Sequence, residues 1–381
     1  MTASRTVAHI APDVLRWARE SAGYSTRQAA DKIGVEKWYL ELVEDGGELM
    51  TLRQAESAAD AYKRPLADLF LPNAPEEEPQ EVQFRRLPGA PAPPWAADMQ
   101  LAARTVSERQ QTALEILDVL DERPPWIAVS EQFVSVARRS LAQVARRVIG
   151  VSRSEQRGWN KDQYAPFRGW REAVEALGVL VMQDGPVAVD EMRGFASIEP
   201  REVPAILVNN KDDPRARAFT IVHELGHLIL ARRGERVGRH TERWCEEFAG
   251  QVLMPTDWLA EEFAASGSGT ALGRVQDVAR AFHVTPLAAA VRVGRTGLVS
   301  RSEAGAVIGE IRGRWREDNE KDEGGGSYYV NQVARFGPGY LKLVFSALDT
   351  QAVTLPTASA LLDGVKVRYF ESLRAQLEGR R

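Results

Sequence analysis

Apolar positions between residues 10 and 71 recur at helical spacing in five short runs, each closed by a turn residue. PDVLRWARESAG carries Val14, Leu15 and Ala18 and stops at Gly23, while STRQAADKIGV opens on Ser25 as an N-cap and turns at Gly34. EKWYLELVEDG, TLRQAESAADAY and the short PLADLFL follow. Five helices in about 60 residues, with a Gly-containing turn between the second and third, predict a helix-turn-helix bundle over 1–71. Seven prolines and the run Glu76–Glu78 then mark 72–94 as a linker.

Helical periodicity resumes over 96–121 and 131–149, which predicts a helical connecting region over 95–157. WREAVEALG ends at Gly178, and VLVMQD (179–184), RGFASI (193–198) and PAILVNN (204–210) read as strands. A long helix is predicted from Pro214 to Gly234, with Pro in its first turn and Gly past its end. Two more follow, around 241–254 and 255–265. After the polar break WREDNEKDEGGGS, residues 327–381 carry a further helical pair, LKLVFSALD and YFESLRAQLEG, of a kind that supports homodimers. There is no tandem repeat. The fold class expected is α+β with a helical majority.

Composition narrows the function classes. The chain has 381 residues, 44% of them hydrophobic and 27% charged, which suits two or three globular domains. One cysteine, Cys245, excludes an intramolecular disulfide and any all-cysteine metal site. No apolar run approaches the ~18 residues of a bilayer span, so no membrane association is expected. The first ten residues lack the apolar core of a secretory signal, and a cytoplasmic location is the expectation. A net charge of −4 provides no global attraction for nucleic acid.

The chemistry sits inside the long helix. His223-Glu224-Leu225-Gly226-His227 is an HExxH sequence. Positions i and i+4 share a helix face, so both imidazoles can reach one tetrahedral Zn²⁺, and Glu224 can take the proton of a metal-activated water. Apolar neighbours on most sides, Phe219 to Val222 and Leu228 to Leu230 among them, predict that the helix is buried. A catalytic zinc takes three protein ligands and keeps an open position. Spacing leaves Glu242 and His240 as competing third ligands, with Glu247 a weaker one. Glu246, four residues after Glu242, is placed to orient a ligand histidine through its free ring nitrogen. The strand over Arg193–Ile198 is expected to hold an extended substrate by edge pairing, and Arg193 is a candidate oxyanion stabiliser whose more ordinary role is a surface ion pair. Cys245 reads as a small buried filler, His283 as structural, and Trp17, Trp38, Trp95, Trp126, Trp159 and Trp170 as packing anchors.

The stretch from about Phe167 to Pro255 resembles the ImmA/IrrE family of zinc metallopeptidases. FRGWREAVEALGVLVMQ, EMRGFAS, PAILVNNKDDPRARAFTIVHELGHLIL and ERWCEEFAGQVLMP carry the resemblance, in that order. It implies a zincin-like peptidase domain over 158–314, with zinc (or Mn²⁺ in vitro) on His223, His227 and Glu242 and with Glu224 as general base. Glu246 stands where the family often has Asn. The N-terminal pieces LRWARESAGYSTRQAADKIGV and TLRQAESAADAYKRPLADLFL resemble the Cro/phage-repressor type of helix-turn-helix. The family also implies a protein substrate, a repressor of that same class cleaved in a stress or mobile-element response.

For DNA, the third helix, Glu36–Val43, would be the reader, yet it offers Lys37, two aromatics and acids in place of the usual Arg, Asn and Gln. Residues 1–75 carry nine Lys/Arg against eleven Asp/Glu, so no basic footprint is present. Arg27, Gln28 and Lys37 are the contacts if DNA is bound; otherwise the domain docks a protein. The pairs Arg138–Arg139 and Arg146–Arg147 form either a basic stripe or a solvated helix face. Two alternatives to a peptidase remain: a transcriptional regulator whose zincin domain only senses, and a toxin–antitoxin or phage-defence interaction protein.

Overall fold

The computed structural model describes residues 6–75, 83–85, 97–185, 187–235, 238–318 and 328–378. Most of the linker expected over 72–94, Trp95, and the glycine run of the second polar break lie outside the described residues. The protein is mostly helical with few strands, an α+β class. It divides into two compact units, 1–81 with 89–106, and 82–88 with 107–381.

The N-terminal unit contains α1 (Pro12–Ser21), α2 (Thr26–Ile33), α3 (Lys37–Glu44), α4 (Leu52–Tyr62) and a 3₁₀ turn at Leu66–Phe70. Short strands β1 (Val7–Ala8) and β2 (Met50–Thr51) pair antiparallel. Local chemistry sets these boundaries. Ser25 and Thr51 form reciprocal capping boxes with Gln28 and Gln54, and Gly34 ends α2 at φ +78°, a left-handed conformation open to glycine. Leu15, Leu40, Met50, Tyr62 and Leu69 form the centre of the core. Against it the Arg19 guanidinium meets the Glu44 carboxylate at 2.7 Å, a buried ion pair tying α1 to α3. Helix α5 (Ala97–Val119) contributes its first ten residues to this unit and the remainder to the second.

The second unit continues through α6 (Pro125–Val134), α7 (Leu141–Ile149), α8 (Arg153–Gly158) and α9 (Ala165–Glu175). Residues 131–149 are therefore not one helix: a 3₁₀ turn at Arg138–Ser140 interrupts them. Strands β3 (Gln83–Arg85), β4 (Leu180–Asp184), β5 (Gly194–Ser197) and β6 (Ala205–Asn209) form one sheet in the order β3-β5-β6-β4. Strands β4 and β6 run parallel, and β5 is antiparallel to both β6 and β3. The expected free edge at β5 is thus absent, because β3 and β6 pair with it on its two sides. Strands β4 to β6 are buried on both faces apart from Asp184, which explains their continuous apolar runs.

Helices α10 (Pro214–Arg232), α11 (Arg239–Leu253), α12 (Thr256–Ala265), α13 (Ala271–Phe282), α14 (Pro286–Arg295) and α15 (Arg301–Asp318) follow the sheet. The C-terminal region holds four helices rather than the expected pair: α16 (Tyr328–Phe336), α17 (Pro338–Asp349), α18 (Leu355–Leu361) and α19 (Phe370–Glu378). Helices α16 and α17 lie on β4, so their apolar faces are used within the unit. Arg109 of α5 fastens this layer, bonding the Arg335 carbonyl and the Asp363 carboxylate at 3.0 Å each. The two arginine pairs do not form a stripe. Arg146 is buried between Trp170 and Trp258, its guanidinium 4.9 and 5.0 Å from the two rings, where desolvation holds its pKa down at about 10.

Candidate metal centre

Helix α10 begins where a turn and a cap define it. Asn209, fully buried, donates its amide to the carbonyls of Val187 and Met192, and its Oδ1 accepts from the Lys211 N–H. Asp213 then caps the helix, accepting from the Arg215 N–H at 2.8 Å, with Pro214 in the first turn. From Ile221 to Leu230 every residue of α10 is buried. Burying Ile221, Val222, Leu225, Leu228, Ile229 and Leu230 contributes roughly 1.5–3 kcal/mol each at the upper bound. That is ample to hold His223, Glu224 and His227, each 1% exposed or less, out of water on the same helix.

Helix α11 crosses α10 closely because position 226 is glycine. A Cβ there would sit 3.1 Å from the Phe248 ring and 3.2 Å from Cys245 Sγ. Cys245 is fully buried in this contact and acts as the small filler its position predicts. The close crossing brings Glu242, in the first turn of α11, onto the imidazoles. Its carboxylate lies 3.4 Å from His223 Nε2 and 3.2 Å from His227 Nε2, and the two Nε2 atoms are 3.2 Å apart. His223, His227 and Glu242 are the only such metal-capable group among the described residues.

Those separations test the fit to a metal. Donors at 2.0–2.1 Å around a tetrahedral ion are about 3.3 Å from one another. The three observed spacings match that edge length, and two imidazoles with one carboxylate are a donor set zinc accepts. Burial works to raise the Glu242 carboxyl, but hydrogen bonds from the two histidines outweigh it and hold the group well below the usual carboxylate range. The third donor is therefore anionic, as a ligand must be.

The other sequence candidates lie elsewhere. His240 and Glu247 are exposed and outside the group. Glu246 is exposed and, among the described residues, its carboxylate meets Arg295 of α14 at 3.5 Å and not an imidazole. One turn of helix moves it ~6 Å along α11, past the donors. Arg193 pairs with the carboxylate of Asp212 at 3.2 Å, the ion pair weighed for it, though Asp212 is buried and the pair does not lie on the surface. Arg27, Gln28 and Lys37 are all exposed, but Gln28 is engaged in the Ser25 capping box and Lys37 pairs with Glu41 at 2.8 Å.

Sequence reasoning missed the close approach of β5 to α10. A Cβ at Gly194 would lie 2.5 Å from the Thr220 methyl and 2.7 Å from the Leu207 carbonyl. At the other end of the strand, Ile198 lines a small cavity with Leu228, Ala231 and Arg232 of α10. Strand β5 therefore follows α10 from Thr220 to Leu228, past the level of His223, Glu224 and His227. The signal was available in principle: a glycine opening an apolar strand marks a close backbone approach.

Residues 174–293 match the family model of the IrrE N-terminal-like domain, a peptidase family. The match contains the three donors and Glu224 and supports a metallopeptidase-like function. No curated protein and no solved structure matches the chain significantly. No helix among the described residues is long and apolar enough to cross a membrane.

Proposed function

We propose that the second unit is a zinc-dependent endopeptidase with a zincin-like arrangement, in which His223, His227 and Glu242 hold the ion. The observation that carries this reading is the set of donor spacings, 3.2, 3.4 and 3.2 Å, on two helices that meet closely at Gly226. A divalent cation bound there supplies Lewis acidity, polarising a peptide carbonyl and acidifying a water. Glu224, beside His223 on the same buried helix, takes the proton of the attacking water and returns it to the departing amine as the C–N bond breaks. The substrate is a regulatory protein, with a repressor of the helix-turn-helix class as the first candidate. Purified protein loaded with Zn²⁺ or Mn²⁺ cleaves such a repressor, and Glu224→Gln lowers the rate by roughly 10³-fold while metal content is unchanged. Equal cleavage by the variant removes the proposed base.

The N-terminal unit is read as a helix-turn-helix bundle that docks protein more readily than DNA. Trp38, expected to be a packing anchor, is instead 63% exposed, and with Leu42, 39% exposed, it stands on α3 among Glu36, Glu41 and Asp45, where a DNA reader would carry cations. DNA contacts through Arg27, Gln28 and Lys37 are the competing reading. Mobility shifts at two salt concentrations separate the two, since phosphate contacts weaken steeply with salt.

A further inference from the structure

Strand β5 follows α10 past the proposed catalytic residues, and its outer side is the place where an extended polypeptide could add to the sheet beside them. That place is taken. Gln83, Phe84 and Arg85 pair antiparallel with Ala196, Phe195 and Gly194. These three residues reach the sheet from a distant part of the chain: 108 residues lie between Arg85 and Gly194. Residues 82–88 count with the second unit, while the residues on either side of them count with the first. The segment lies within the proline-rich stretch of the sequence, with Pro79 before it and Pro88 after it.

We propose that Gln83–Arg85 is an internal competitor for the substrate strand, so that a polypeptide substrate binds β5 only when this segment leaves. The inference rests on the peptidase reading for its meaning, and it names the regulation of that same site. Backbone pairing is what the competitor and a substrate share: an extended stretch running antiparallel to Gly194–Ser197. A tethered competitor of three residues acts by local concentration, in the millimolar range for short linkers, rather than by intrinsic affinity. It therefore yields to a longer strand or to a partner that captures the linker.

The test is a binding measurement. A labelled peptide with the sequence of residues 81–88, EVQFRRLP, is titrated into the full-length, zinc-loaded protein carrying Glu224→Gln, which prevents its cleavage. The same titration is made on that protein with Gln83→Gly, Phe84→Pro and Arg85→Gly added, and on one with Phe84→Pro alone. The expected result is at least tenfold tighter binding to both linker variants than to the parent, with a scrambled peptide bound by none. Equal affinity for all three, or binding to none, overturns the proposal. So does loss of the cooperative melt in both variants, because a strand that holds the sheet together is not a displaceable competitor. Because this readout needs no turnover, absence of zinc-dependent cleavage counts against the peptidase reading alone, and failure of peptide binding counts against the competitor alone.

Discussion

Helices α10 and α3 stand in different relations to their surroundings, and the difference decides how much each reveals. Helix α10 is buried all round from Ile221 to Leu230, and its three polar side chains there are the two histidines that meet Glu242 and the glutamate beside them, the group for which a metal is proposed. Helix α3 buries one side, Leu40 and Val43, and exposes Trp38 and Leu42 on the other. A polar group inside a core must have a reason, since burying it unpaired costs on the order of 1–3 kcal/mol. An exposed side chain on a surface helix needs none. Burial made one site legible and exposure left the other open.

The sharpest way to break this comparison is to remove a donor. His227→Ala is expected to weaken zinc binding by more than about a hundredfold, read by competition with a chelator. It should also abolish the metal-dependent rise in melting stability, which reaches ~4 kcal/mol when free zinc is a thousandfold above the wild-type dissociation constant. An unchanged melt on adding zinc to the wild type would remove the distinction between α10 and any other buried helix.

A second experiment separates burial from function. The carboxylate of Glu175, on α9, is out of water and accepts from the Gly339 N–H at 3.1 Å. Burial pushes its carboxyl up to about 7, with Arg171 pulling the other way. A raised carboxyl pKa means the folded protein holds the proton longer than the unfolded chain, so stability falls as pH rises from about 4.5 to about 7. The total is ~3 kcal/mol. Glu175→Gln should flatten that decline in denaturant titrations between pH 5 and 8. Glu242, held low by its histidines, has the opposite sign.

Next in size is the helix crossing. Gly226→Val places methyl groups into Cys245 and Phe248 and should cost about 2 kcal/mol of stability. Because Glu242 rides on the helix that is pushed away, zinc affinity should fall as well, by roughly tenfold. Full zinc affinity in a destabilised variant would show that Glu242 is placed by something other than this contact. The smallest effect belongs to α3. Trp38→Ala should change stability by less than about 0.5 kcal/mol, since the side chain is 63% exposed, while eliminating protein docking if that surface is the interface.

The chain's local patterns determined a good deal unaided. The capping boxes at Ser25 and Thr51, the turn at Gly34, three strands of the sheet, and the limits of α10 all follow from interactions between residues at most four or five apart. So does the shared face of His223 and His227. Each of these is set by backbone geometry that a few neighbouring residues fix among themselves, which is why spacing alone could find them. Spacing left Glu242 and His240 equal; the crossing at Gly226, which brings α11 onto α10, is what separates them. The burial of Arg146 between two tryptophans, the layering of α16 and α17 on β4, and the pairing of Gln83–Arg85 with β5 likewise join residues far apart in the chain. Such contacts depend on how whole elements pack. No window of sequence contains both partners, and only the folded molecule brings them together.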